Sequence, residues 1–145
     1  MKKIMFILFT FSIVILSGCS VLEEVNSSLN YATESTDYIN DLQTFGEEAS
    51  SLVQDAATDP DKKTELEGKI TDLEARIKEF NEMKAPSIAT DLHETVVEKN
   101  DQILEGINTA KENGELSVEK LKDTEIFKTI NEMTDLIDQI KQLEL

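Results

Sequence analysis

Apolar side chains recur along most of this chain at steps of three and four residues, the spacing that puts them on one stripe of an α-helix. Asp59-Pro60, Ala85-Pro86 and Asn113-Gly114 cut the pattern into four segments, because proline suits the first turn of a helix and glycine the position just past its end. The spacing predicts helices over about 21–57, 60–84, 86–113 and 117–143. In the first, Val25, Leu29, Ala32, Ile39, Leu42, Phe45, Ala49, Leu52 and Ala56 share a face. Its stretch from Asn26 to Thr36 is rich in Ser, Asn and Thr, so packing rather than propensity has to hold it. The second starts at Asp59, a candidate N-cap, and sets Leu66, Ile70, Leu73, Ile77 and Phe80 on a coiled-coil-like seam.

The third segment carries Ile88, Leu92, Val96, Ile103 and Ile107, with Asn100 falling on the seam between Val96 and Ile103. A polar seam residue either fixes register at a cost in stability or sits at the boundary of the face. The fourth places Ile126, Ile130, Met133, Ile137 and Ile140 in line, with a break expected near 123, where Thr124 followed by Glu125 reads as a second helix start. Nowhere do apolar and polar residues alternate over a strand length, so the expected fold class is all-α, without strands. Short loops favour an antiparallel up-down four-helix bundle. Coiled-coil-like helical hairpins, extended or paired between two chains, would show the same seams.

A different pattern opens the chain. Ile4 to Leu16 is apolar except for Thr10 and Ser12, about as long as the apolar region of a signal peptide and short of the ~20 residues of a spanning helix. Lys2 and Lys3 supply the positive flank. The block runs into Leu16-Ser17-Gly18-Cys19, which resembles the lipobox of bacterial lipoprotein precursors. The resemblance implies that Leu16, Ser17 and Gly18 are read by the signal peptidase, that residues 1–18 are removed, and that the Cys19 thiol takes a diacylglyceryl group. A lone cysteine is otherwise a buried thiol or a partner for another chain. Its place after a basic start, an apolar block and two small residues argues against both. Two acyl chains, at about 0.8 kcal/mol per buried methylene, anchor durably where one is marginal.

Cleavage takes 18 of the 145 residues, leaving 127 as one helical-bundle domain over 19–145, and takes two positive charges from a formal −16, leaving −18. That charge excludes a nucleic-acid partner. With its only cysteine acylated the chain forms no internal disulfide, so the fold rests on its core. The first helix starts within two or three residues of Cys19 with no flexible spacer. The bundle is therefore expected to stand on the membrane, with the Asp59-Pro60 and Asn113-Gly114 turns outward and Ala85-Pro86 and the residues from Leu143 to Leu145 near the bilayer. Acidic runs such as Glu23-Glu24 and Glu47-Glu48 are solvated helix faces or a surface for a basic partner, and they repel anionic lipid.

Catalytic and metal patterns fail on residue count. A di-iron bundle needs two Glu-x-x-His pairs, and this chain has one histidine, His93, with Thr90 three positions before it. Val97 stands where a zinc protease needs its second histidine. Asp59-Pro60-Asp61 opens like a calcium loop, but Lys62 and Lys63 follow. No phosphate loop or nucleophile elbow is present, so no enzyme, metal or cofactor is expected. Gly46, Gly68 and Gly106 lie inside helices, each at a cost of about 1 kcal/mol. They suggest a distal layer of close helix approach or a small groove, the other reading being tolerated surface glycines.

The mature stretch also resembles small uncharacterised helical lipoproteins of Gram-positive, Bacillus-like bacteria. The similarity rests on Gly18-Cys19-Ser20-Val21-Leu22-Glu23-Glu24-Val25, Asp37-Tyr38-Ile39-Asn40-Asp41, Leu104-Glu105-Gly106-Ile107-Asn108 and Thr124-Glu125-Ile126-Phe127. It implies location and fold, not activity. The expected function is a non-catalytic interaction or structural module at the extracytoplasmic face of the cell membrane, held by lipid on Cys19 and binding an envelope protein. The alternative is a sensor or accessory protein whose distal groove takes a small ligand or cation.

Overall fold

The computed structural model describes the backbone of residues 18–144 and the side chains of residues 25–143. Leu16, Ser17 and the apolar block before them lie outside the described residues, while Gly18 and Cys19 are described as backbone only. Helix α1 runs unbroken over Gly18–Asp55, 38 residues, or about 57 Å at 1.5 Å per residue. Helix α2, Pro60–Asn81, starts as expected: Asp59 Oδ1 accepts from the backbone N–H of Asp61 at 2.9 Å and of Lys62 at 3.4 Å, with proline in the first turn. A 3-10 turn over Ser87–Ala89 leads into α3, Thr90–Ala110.

The strand-free reading misses a two-stranded antiparallel hairpin, β1 (Lys111–Glu112) and β2 (Glu115–Leu116), closed by Asn113 at φ 53 and Gly114 at φ 87. Positive φ at both central residues is what a tight primed turn requires, and Asn-Gly is the pair that adopts it most readily. The periodicity could not show strands of two residues.

The fourth segment is α4 (Val118–Lys122), α5 (Ile126–Thr134), α6 (Ile137–Lys141) and a 3-10 turn, Gln142–Glu144. The break near 123 is present and a second one follows α5, so the expected helix over 117–143 is in three pieces. Thr124 does not cap α5; its hydroxyl donates back to the Leu121 carbonyl at 2.7 Å and so closes α4. Ser117 caps α4, accepting from the Lys120 N–H at 3.4 Å.

Cross-helix pairs give the register. Lys69 and Arg76 of α2 meet Glu48 and Asp41 of α1, rising against falling numbers, so the two helices are antiparallel. Asn100 of α3 and Lys111 just past its end meet Asn81 and Glu74 of α2, and Lys99 and Gly106 of α3 meet Glu132 and Ile126 of α5, each again in the antiparallel sense. Helix α1 packs on α2 and α5, and α3 on α2, α4 and α5. This is the up-down order of a four-helix bundle within one chain, with the α2–α3 connection at the end where α1 begins. Its core takes the predicted seams of α2 and of α3 from Val96 onward, with Ile39, Leu42, Ala49, Ile126, Ile130 and Met133. Val25, Leu29 and Ile88, read as members of apolar faces, are exposed instead.

Candidate functional site

Two interactions cross the bundle diagonally. Helices α1 and α3 are parallel, and Tyr31 and Tyr38 on one are a heptad apart, as are His93 and Asn100 on the other. The Tyr31 hydroxyl hydrogen-bonds His93 Nδ1 at 3.2 Å, and the Tyr38 hydroxyl donates to Asn100 Oδ1 at 2.5 Å. Asn100 in turn donates through Nδ2 to Asn81 Oδ1 of α2 at 2.7 Å. Asn100 is fully buried, which decides between its two readings: it belongs to the core, bonded to α1 across the bundle and to the adjacent α2.

Phe80 of α2 fills the space between these diagonals. Its ring stacks on Tyr38 at 4.3 Å between centroids and on His93 at 5.2 Å, while Tyr31 meets His93 edge-on at 5.9 Å. Four rings from three helices thus form one connected group. Burial pushes the Tyr38 phenol far above its ordinary value, against the opposing effects of Asn100 and Arg76, and raises Tyr31 as well. Desolvation lowers the His93 pKa, against the pull of Glu94, so the imidazole is neutral at pH 7. The neighbouring Ser35 and Thr36 hydroxyls are buried without a partner at full hydrogen-bond geometry.

Outside this group, a cleft of about 730 Å³ runs between α1 and α2 over Tyr38, Phe80 and Met83. Glu34 and Asp37 form its α1 wall, and Arg76, Glu79 and Glu82 lie on the α2 side. Arg76 is committed to Asp41 and Glu79, which hold its guanidinium above its ordinary pKa. The Glu34 and Asp37 carboxylates make no ion pair or hydrogen bond with the described residues.

The three glycines separate. A Cβ on Gly106 would come to 2.7 Å from Ile126 Cγ1, and one on Gly46 to 3.2 Å from Ile130 Cγ2, so two glycines on different helices let α5 approach through side chains one turn apart. Gly68 is exposed, and a Cβ there would meet nothing. The expectation that all three shape one distal groove is therefore corrected: two are packing positions against α5 and the third is a tolerated surface glycine. A separate open cleft of about 570 Å³ passes Gly106, lined by Glu105, Lys120, Asp123 and Glu125 among others. Among the described residues, no cluster of three or more His, Cys, Asp or Glu is placed to hold a metal ion, and no helix is long and apolar enough to cross a membrane.

Sequence reasoning missed the aromatic group. Its signal was present as the matching heptad steps Tyr31 to Tyr38 and His93 to Asn100, but nothing local shows that these two stripes face each other.

Comparison with known proteins agrees with the lipobox reading. The "Uncharacterized lipoprotein YybP" of Bacillus subtilis (strain 168) is 30% identical over 146 residues, covering 99% of each chain. No solved structure matches. A family of unknown function, DUF6376, matches residues 31–143, a span that holds the aromatic group, the α1–α2 cleft and both packing glycines, and the chain belongs to that family.

Proposed function

We propose that this protein is a lipid-anchored, non-catalytic interaction module of the cell envelope, held at the extracytoplasmic face of the membrane through acylated Cys19. Anchoring is supported by the Leu16-Ser17-Gly18-Cys19 motif and by the lipoprotein name of the Bacillus subtilis relative. The interaction role is carried by the α1–α2 cleft, where the unpaired carboxylates of Glu34 and Asp37 stand over an apolar floor of Tyr38, Phe80 and Met83. That combination suits a protein segment with a basic residue flanked by apolar ones: the floor takes the apolar side chains and the carboxylates the cation. Because α1 is helical from Gly18 onward, the cleft is carried at a set height above the anchor instead of on a flexible tether.

In-cell photo-crosslinking tests this. A photoreactive residue at Glu34 or Glu82, on the cleft rim, should capture a discrete envelope protein that is lost with Asp37→Lys, while the same residue at Thr58, at the far end of the bundle, should not. Equal capture at both places would sink the cleft reading. The ligand-binding alternative has the opening beside Gly106 in its favour. Thermal stabilisation of the purified domain by a small molecule or cation, with no protein captured at either place, would favour it.

A further inference from the structure

Among the described residues the large exposed apolar side chains are three: Val25 at 52%, Leu29 at 39% and Ile88 at 66%. All lie at one end. Val25 and Leu29 are one turn apart on α1, six and ten residues beyond Cys19, which is about 9 Å and 15 Å along the helix. Ile88 is in the α2–α3 connection, beyond the Tyr31–His93 contact on the same side as Cys19. The rest of the described surface exposes no large aliphatic or aromatic side chain of this kind, and it is strongly acidic.

We infer that this end of the bundle is a second lipid contact, in which Val25 and Ile88 enter the headgroup layer beside the acyl chains of Cys19, with Leu29 one turn above Val25 at its outer edge. The inference rests on the anchoring proposed above. An interfacial residue sinks about 5–10 Å into the boundary between headgroups and acyl chains, and a thioether held at that boundary brings Val25 and the bundle end to within the same layer. Charge opposes a side-on contact, because the acidic flanks repel anionic headgroups; Glu23 and Glu24, between Cys19 and Val25, bring the same repulsion to this end, where the acyl chains of Cys19 hold it against the bilayer. Acyl chains alone let a protein swivel about one point. Apolar side chains on two separate elements, α1 and the α2–α3 connection, add further points and fix which face of the bundle, and hence the α1–α2 cleft, is turned to the surroundings.

The chain has no tryptophan, so single probes read cleanly. Val25→Trp, Ile88→Trp and, at the distal end, Thr58→Trp would be made in the full acylated protein. Each would be purified from membranes and reconstituted into phosphatidylglycerol and phosphatidylcholine vesicles with and without brominated acyl chains. Emission from positions 25 and 88 should move to shorter wavelength and be quenched by bromine, while position 58 stays unchanged. Protein that carries the diacylglyceryl mass and floats with vesicles, yet shows no quenching at 25 and 88, overturns the second contact alone. A blue shift there without bromine quenching places another protein surface on this end, and overturns it too. Protein lacking the acyl mass that fails to float overturns the anchoring, and the inference with it.

Discussion

At the residue scale, the polar bonds inside the bundle matter through what they leave behind when broken. Asn100→Leu strands the buried Tyr38 hydroxyl and removes the donor to Asn81, and an unsatisfied buried polar group costs about 1–3 kcal/mol. Adding Tyr38→Phe removes the orphan, so urea unfolding of the unacylated domain should show the double variant recovering most of that loss. A double variant as unstable as Asn100→Leu alone would mean that the network stabilises by more than satisfying its own members. His93 gives a pH signature. Its pKa is lowered on folding from 6.5, so as pH falls through that value the unfolded chain takes the proton first. Stability is therefore full above about pH 7 and declines as pH drops below 6.5 towards the lower folded value. The chain has a single histidine, so melting temperatures measured between pH 7 and 5 should fall in the parent and fall less in His93→Phe, which keeps a ring against Phe80. Equal slopes would remove His93 as the cause.

At the scale of elements, the two glycines facing α5 and the one facing solvent should respond with opposite signs. Gly68→Ala gains helix propensity with no clash and should stabilise by about 0.5–1 kcal/mol. Gly106→Ala drives a methyl against Ile126 and should destabilise by about 1–3 kcal/mol, the cost of overpacking. Denaturant midpoints that rise for both would show that α5 moves aside freely. From sequence, all three glycines looked alike, since each interrupts a helix of good formers. Whether the missing Cβ is needed depends on which neighbour passes by, and the position of α5 is set by the α4 turn and the hairpin before it. The seams of α2 and of most of α3 were legible, by contrast, because i to i+4 hydrogen bonding makes the apolar stripe a local property. The same rule overextended the stripe at Val25, Leu29 and Ile88, where no neighbour covers it.

For the whole molecule, charge is the dominant non-specific term. A formal −16 over the whole chain is self-repelling, while the ion pairs that oppose it, such as Lys62 with Glu65 and Lys128 with Glu125, are exposed and screened by solvent, so they oppose it weakly. Screening should therefore help more than it harms. The melting temperature is expected to rise as sodium chloride goes from ~0.1 M to ~1 M, where the Debye length shrinks from about 10 Å to about 3 Å. A fall would mean that the cross-helix pairs Lys99–Glu132 and Lys69–Glu48 contribute more than surface pairs ordinarily do.

The amino-acid sequence by itself determined the all-helical class, the segment boundaries to within a few residues, the Asp59 cap and the motif around Cys19, because each is written in a short window of neighbouring residues. It could not determine that Tyr31 meets His93, that Tyr38 meets Asn100, or that Gly46 and Gly106 press on α5 while Gly68 faces water. Those are contacts between residues up to 84 positions apart. They depend on the angle and register at which four amphipathic rods pack, and the free energy of that packing is a sum over the whole interior, with no local trace in any one segment.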